Sequence, residues 1–256
     1  MPRLSLLAHP AVRSAFAGEL QREVEYHARI ASTQTRAREL AAGGAARAVV
    51  VADVQDEGQG TRGRSWQAAA GSSLLASWIV RPAPVAPALF AALAGVAVAR
   101  ALNALGVREA RLKWPNDVEL GGRKVAGALA HAASDGNGGV LVLGIGINVH
   151  QRAQDFSSDL LATATSLALS GHAVDRLALL ARVTRELDRL ERADEHPGAL
   201  AEWRDRATLL GRGVTVSVNG SRRFAGTATA IDDEGALLVH TATGVERVVS
   251  GDVRLA

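Results

Sequence analysis

The sequence predicts an α/β fold of the α+β type: a mixed or antiparallel sheet backed by helices, followed by a small C-terminal β-barrel. Two patterns carry this expectation. Apolar runs of strand length fall near residues 47–54, 73–80, 110–114, 123–132 and 139–149, with one long helical stretch inserted among them. Beyond Gly211, short strands alternate with Asn219-Gly220 and Asp233-Glu234-Gly235 turns, which suits a small all-β unit. The expected division is one domain over 1–208 and a second over 209–256, joined by a short linker.

Each element has a local cause. Ser32 can cap a helix running to about Ala42, where Gly43-Gly44 stops it. Ala48-Val49-Val50-Val51-Ala52 is a β-branched run that reads as a buried strand. From Pro87 to Gly106 the chain is rich in Ala, with Pro at the entry and Gly past the end, which marks a buried helix. The apolar stretch Ala83 to Ala99 contains two prolines and falls short of the roughly 20 residues a membrane span needs. Val125 to Leu129 is a strand interrupted by Gly127, and such a glycine often marks close approach of backbone to ligand. Ser134 to Gly139 is a polar turn between the last two sheet strands. Helices follow near 173–192 and 197–208, the first with Leu177, Leu179, Leu180, Val183, Leu187 and Leu190 as its apolar stripe. Val214 to Val218, Arg223 to Ile231, Ala236 to His240 and Val245 to Val249 supply the C-terminal strands.

Composition narrows the function. Hydrophobic residues at 48% suffice for a sizeable core. The absence of Cys excludes disulfides, thiolate catalysis and Cys-ligated zinc, and fits a cytoplasmic protein. Net charge is only +3, from 29 basic and 26 acidic residues, which does not argue for nucleic-acid binding. Met1 to Pro10 is a short apolar start broken by Pro2, His9 and Pro10, without a signal-peptide core. No membrane association is expected.

Three segments carry chemistry. Lys113-Trp114-Pro115-Asn116-Asp117 can form a turn, because Pro presets φ and Asn and Asp tolerate unusual backbone angles. Gly121-Gly122 then reverses the chain into Arg123-Lys124-Val125-Ala126-Gly127. Two lysines, a carboxylate and bare backbone around one point suit an anionic, phosphate-bearing substrate. The second segment runs from Gln55 to Trp66. Gly58, Gly60 and Gly63 offer unobstructed backbone N–H groups, and Arg62 and Arg64 add guanidinium forks able to grip phosphate or carboxylate. It lacks the Gly-Lys-Ser/Thr ending of a P-loop. The third, Gly144-Ile145-Gly146-Ile147-Asn148-Val149, ends a buried strand on a polar Asn.

In this order the segments resemble the bacterial biotin–protein ligases. That family carries a Gly-Arg-Gly-Arg-x-Gly-Arg-x-Trp loop, a Lys-Trp-Pro-Asn-Asp turn followed by Lys-x-Ala-Gly, and a Gly-x-Gly-Ile-Asn strand. Ser32-Thr33-Gln34 looks like the family's Ser-Thr-Asn near the biotin site. The resemblance runs from about Ser32 to the C-terminus. It implies an ATP- and Mg²⁺-dependent enzyme that converts biotin to biotinyl-adenylate and passes it to a lysine of a biotin carboxyl carrier protein. The chain has 31 residues before Ser32, fewer than the complete DNA-binding domain of the family's repressor branch, so no DNA partner is expected. A homodimer is left open.

The resemblance also assigns roles. Lys124 matches the family lysine near the biotin carboxylate and α-phosphate, and Arg64 the last arginine of the loop motif. Arg62 would hold phosphates, and Lys113 and Asn116 belong to the motif turn. Asp117 is placed to orient Lys124, to assist Mg²⁺, or to serve as a structural acid of the turn; Asn148 falls in the phosphate or Mg²⁺ region. Ser32, Thr33 and Gln55 fall near biotin, although Ser32 is equally a helix cap and Gln55 equally a loop brace. Trp66 would support adenine or simply pack. Gly58, Gly60, Gly63 and Gly127 give backbone access. Two departures stand out: Gln59 and Thr61 occupy positions where the family loop has Arg. They leave two rivals in view, a lipoate–protein ligase-like acyl-adenylating enzyme and a non-catalytic biotin or adenylate sensor.

Overall fold

A computed structural model describes residues 21–133, 139–218 and 222–256. Met1 to Pro10, the Asn219-Gly220 turn and, Gly139 apart, the Ser134 to Gly139 turn lie outside these residues. The main sheet has seven strands in the order β1-β2-β3-β7-β6-β5-β4. They are β1 (Glu23–His27), β2 (Ala48–Ala52), β3 (Ser73–Val80), β4 (Arg111–Lys113), β5 (Asp117–Leu120), β6 (Arg123–Ala133) and β7 (Val140–Asn148). β1 pairs parallel with β2, and the remaining ladders are antiparallel. The sheet is mixed, as expected. Two of its strands, β1 and β5, were not foreseen. Each is only five or four residues long, and β1 carries Glu23, Glu25 and His27, which weaken any apolar pattern.

Alternation along the strands divides the sheet into two faces. Val49 and Val51, Leu74, Ala76 and Trp78, and Leu141, Leu143, Ile145 and Ile147 point into the larger core. That core is built around helix α2 (Pro87–Ala104), which has Pro at its first turn and ends before Gly106 at φ +91°. The helix is long and apolar enough to cross a membrane, yet 67% of its apolar window is buried here, against the sheet, α4 (Arg176–Leu190) and α5 (His196–Arg206). On α4 the side chain of Asp175 caps Ala178 N–H at 2.9 Å. Leu179, Leu180, Val183, Leu187 and Leu190 are buried as the stripe predicts, and Leu177 is partly buried. Trp78 Nε1 donates to Thr184 Oγ1 at 3.0 Å, tying sheet to helix. A short helix, α3 (Ser158–Leu161), lies in the connection from β7.

The opposite face carries Ala48, Val50, Ile79, Val140 and Val142, covered by Ala37 and Ala41 of helix α1 (Thr33–Ala42). α1 covers only this half. Further along the same face come Leu75 and Ser77 of β3 and Gly144 and Gly146 of β7, and there a cleft opens.

The C-terminal unit is all-β: β8 (Gly213–Val218), β9 (Arg222–Ile231), β10 (Leu237–Thr241), β11 (Gly244–Val248) and β12 (Asp252–Leu255), in the order β11-β10-β9-β8-β12. The expected barrel is not closed, since β11 and β12 are opposite edges with no ladder between them among the described residues. Their charged residues, Glu246 and Arg247 on one and Asp252 and Arg254 on the other, suit open edges. The unit is seated on the first through Trp114 Nε1, which donates to Gly235 O at 2.9 Å, and Arg204 Nε, which donates to Ile231 O at 2.8 Å.

A buried polar knot joins β1, β2, β3 and α4. Arg176 donates to Asp53 Oδ1 and to Ser73 O, each at 3.1 Å, and Tyr26 donates to Asp53 Oδ2 at 2.6 Å. Burial, reinforced by Asp53, pushes the Tyr26 phenol up to about 12. The folded protein therefore holds that proton more tightly than the unfolded chain, whose phenol ionises near ~10. The linked stability is fully present below that lower value and is lost as pH rises toward about 12. Tyr26 is the single tyrosine, so tyrosinate absorbance reports it alone. The native curve is expected to lie well to the alkaline side of the curve in denaturant; coincident curves would contradict the knot.

Candidate active site

The cleft encloses about 490 Å³, part of it open to solvent. One wall is polar and uncharged. Ser32 caps α1 by accepting from Thr35 N–H at 3.4 Å, and it also lines the cleft. Thr33 donates its N–H and its Oγ1 proton to Gln55 Oε1, at 2.8 and 2.9 Å. Thr33 Oγ1 lies 2.8 Å from Ser77 Oγ, and Ser77 donates to Gln34 Oε1 at 3.2 Å. Two hydroxyl protons thus serve three contacts, so one of the three is without a proton at any moment. Gln34 Nε2 faces Val142 O at 3.0 Å, Leu129 O at 3.2 Å and His131 Nδ1 at 2.9 Å, three acceptors for two protons.

The floor is glycine for steric reasons. A Cβ on Gly144 would lie 2.2 Å from Gln34 Oε1, and one on Gly146 would lie 2.6 Å from the Trp66 ring. Bare backbone here lets the Gln34 amide and the Trp66 indole lie against β7. Trp66 Nε1 is buried without a hydrogen-bond partner, a donor facing a site that has none to accept it.

The charged wall comes from the hairpin of β5 and β6. Gly121 at φ +55° and Gly122 at φ +73° form its two-residue turn, a conformation costly for any side-chain-bearing residue. Asn116 stitches the preceding turn to β6, donating to Ala128 O while Ala128 N–H donates to Asn116 O at 3.1 Å. Lys124 Nζ lies 2.6 Å from Asp117 Oδ1 and 5.6 Å from the Trp66 ring centroid. A Cβ on Gly127 would come within 2.8 Å of Lys124 Nζ. The Lys-x-Ala-Gly spacing is therefore steric: the glycine makes room for the ammonium to fold back over its own strand. Among the described lining residues, Lys124 is the one cation.

The glycine-rich loop is a self-bonded hairpin. Gly60 N–H donates to Arg64 O at 2.7 Å and Trp66 N–H to Gly58 O at 2.8 Å, around a single turn of 3₁₀ helix at Thr61–Gly63. Gln59, Gly60 and Thr61 line the cleft, while Gly58 and Gly63 shape the loop without lining it. A Cβ on Gly58 would sit 2.4 Å from Trp66 O, and Gly63 has φ +73°. The side chain of Arg62 lies outside the described residues.

Several sequence expectations need correcting on position. Arg64 turns away from the cleft: it is 62% exposed and lies 3.3 Å from Asp252 on β12. Lys113 is 3.5 Å from Glu119 and does not line the site. Burial pushes the Glu119 carboxyl above its usual range, against the pull of that lysine. Asn148 is buried and spent on protein partners, donating to Thr165 O at 2.9 Å and accepting from Gln151 at 2.7 Å. Of the two residues expected near Mg²⁺, Asp117 is paired with the Lys124 ammonium and Asn148 with protein amide and carbonyl groups. No group of three or more His, Cys, Asp or Glu suited to a metal occurs among the described residues. Ser77 and His131 sit in apolar strands without a motif, and only the strand phase relative to α1 would have revealed them.

Comparison with known proteins gives the family of the chain. Residues 26–148 match the model of the Biotin/lipoate A/B protein ligase family, and residues 209–255 match the Biotin protein ligase C terminal domain. The Bifunctional ligase/repressor BirA of Bacillus spizizenii is 35% identical over 236 residues, covering 88% of this chain and 72% of the relative. The Biotin–[acetyl-CoA-carboxylase] ligase of Mycobacterium tuberculosis is 34% identical over 248 residues, covering 93% and 90%. The structure of the biotin protein ligase from Aquifex aeolicus in complex with biotin and ATP superposes with a TM-score of 0.78 at 24% identity, covering 91% of this chain and 99% of that one. Fold, cleft and motif order thus converge with two relatives above 30% identity: the chain belongs to the biotin–protein ligase family.

Proposed function

We propose that this protein activates biotin with ATP as biotinyl-5'-adenylate and transfers the biotinyl group to a lysine of a biotin carboxyl carrier protein in the cytoplasm. The observation that carries the reading is the placement of the Lys124 ammonium, over bare Gly127 and beside Trp66, opposite the neutral hydrogen-bonding wall of Thr33, Gln55 and Ser77. That wall offers donors and acceptors without net charge, which matches biotin's cyclic urea. Lys124 is then at the carboxylate end. The match at the C-terminal unit is to a biotin ligase domain, which favours biotin over lipoate.

The chemistry needs no covalent enzyme intermediate. A biotin carboxylate oxygen attacks the α-phosphorus, the bond to pyrophosphate breaks, and pyrophosphate leaves. The neutral amine of the carrier lysine then attacks the acyl carbon, the acyl–oxygen bond breaks, and AMP leaves. Lys124 neutralises charge where two anions meet, and Asp117 fixes its ammonium. ATP would enter as its magnesium complex, the metal neutralising phosphate charge while keeping several of its waters. Gln59 and Thr61 cannot grip phosphate as arginines would, so the intermediate is held less tightly than in a loop with the family's three motif arginines.

Purified protein should exchange labelled pyrophosphate into ATP with biotin and not with lipoate; exchange with lipoate alone would reassign the substrate. Lys124→Ala should reduce that exchange by roughly 100-fold or more, and a variant with full exchange would remove Lys124 from the chemistry. Gly127→Ala, placing a methyl 2.8 Å from the ammonium, should cut exchange while thermal unfolding stays near that of the unaltered protein. Thr61→Arg should slow release of adenylate into solution by roughly tenfold, the effect of one charge-assisted contact of about 1.5 kcal/mol. Unchanged release would show that the loop's arginines do not govern retention.

A further inference from the structure

Lys124 sits where the sheet changes its bonding partners. On one side of it the β5–β6 register shifts between Val118 and Glu119, so that Glu119 faces Lys124 and Val125 is passed over. Such bulges re-aim side chains. On the other side the β6–β7 ladder reaches only Ala126, opposite Ile147, while the β3–β7 ladder runs one residue further, to Asn148 opposite Ser73. The place beside Lys124 is taken by residues 163–165. Lys124 N–H donates to Thr163 O, and Thr165 N–H donates to Lys124 O, both at 2.8 Å. This three-residue surrogate strand belongs to neither sheet. Its direction must be fixed by something else.

On one side it is held by the end of α3, where Ala164 N–H donates to Leu160 O at 2.7 Å, and on the other by a buried amide relay. Asn148 Nδ2 donates to Thr165 O at 2.9 Å. Because that carbonyl can only accept, the remaining Asn148 oxygen must accept, and Gln151 Nε2 donates to it at 2.7 Å. The second Gln151 proton goes to Ser73 Oγ, Gln151 Oε1 is buried without a partner, and Ser166 Oγ donates to Gln151 O at 2.7 Å. Gln151, Asn148 and Thr165 are respectively 2%, 5% and 0% exposed, so water does not compete for these bonds. A carboxylate in place of Gln151 would set oxygen against oxygen; an apolar residue would leave Asn148 Oδ1 unpaired. A buried acceptor without a donor costs free energy that the protein recovers by moving the group.

We propose that Gln151 is a positioning residue for Lys124, acting through Asn148 and Thr165 to hold the surrogate strand that aims the ammonium. Asn148 is then a link in this relay and not a ligand of phosphate or metal. The inference rests on the reading of Lys124 as the residue that stabilises adenylate formation, and it deepens that reading.

The test is Gln151→Met, which keeps length and removes both donors. Biotin-dependent pyrophosphate exchange should lose kcat by roughly tenfold, the scale expected of a small misplacement of a reacting group, with the KM for biotin within about twofold. In amide hydrogen exchange, Lys124 and Thr165 should lose protection while Ile145 and Leu143 of β7 keep theirs. Asn148→Asp cuts the next link and should give the same split; it also serves if Gln151→Met does not fold. A kcat equal to that of the unaltered protein overturns the proposal, as does a kcat loss with Lys124 and Thr165 still protected. Protection lost evenly across the sheet also overturns it, because the role would then be general packing. If the unaltered protein shows no exchange with biotin, the functional reading fails first and this proposal with it.

Discussion

The register between β3 and β7 governs the rest of the molecule. Ser77 faces Gly144 and Leu75 faces Gly146 on the cleft side, while Trp78 with Leu143 and Ala76 with Ile145 fill the core side. A slip of one residue would exchange the two faces. If β7 were the strand turned over, its glycines would leave holes in the core; if β3 were, Trp78 would enter the cleft. The large apolar residues on one face make that slip expensive, each worth about 1.5–3 kcal/mol of burial. The binding floor is thus specified by the core behind it.

Electrostatics at the site is sparse by construction. Lys113 and Lys124 lie eleven residues apart in one hairpin region, yet Lys113 is drawn to the buried Glu119 and Lys124 to the half-exposed Asp117. Only the second pair borders the cleft. An ammonium that is paired but accessible can exchange its carboxylate partner for an incoming carboxylate or phosphate at little desolvation cost, whereas a buried pair cannot. Among the described residues the opposite wall has no charge, so their attraction for anions is confined to one end. That polarity orients a ligand with an anionic end and a neutral polar end.

The glycine-rich loop and the C-terminal unit meet at Arg64 and Asp252. Both side chains are substantially exposed, and such a pair contributes little to stability. The loop's own backbone bonds, together with Trp66 lying on Gly146, set its shape. The C-terminal sheet is fixed to the first unit elsewhere, through Trp114 and Arg204. Trp114 therefore has a structural task within a motif whose neighbours Asn116 and Asp117 serve the site.

Sequence by itself determined what depends on short spans of chain. Pro87 and Gly106 bounded the core helix, Ser32 and Gly43-Gly44 bounded α1, and Gly121-Gly122 placed the hairpin, because caps and turns act over a few residues. It also singled out Lys124, Thr33 and Gln55, which the structure gathers around one cleft, through motifs that preserve local spacing. Tertiary structure alone decided what depends on partners far along the chain. It left the C-terminal sheet open, paired the short strands β1 and β5, and sent Arg64 to Asp252 across 188 positions. It drew Asn148 into a relay with Gln151 and Thr165, and it brought Ser77 to the cleft. A buried side chain serves whichever group saturates its hydrogen bonds, and that group is known only when the sheet register and helix cover are known.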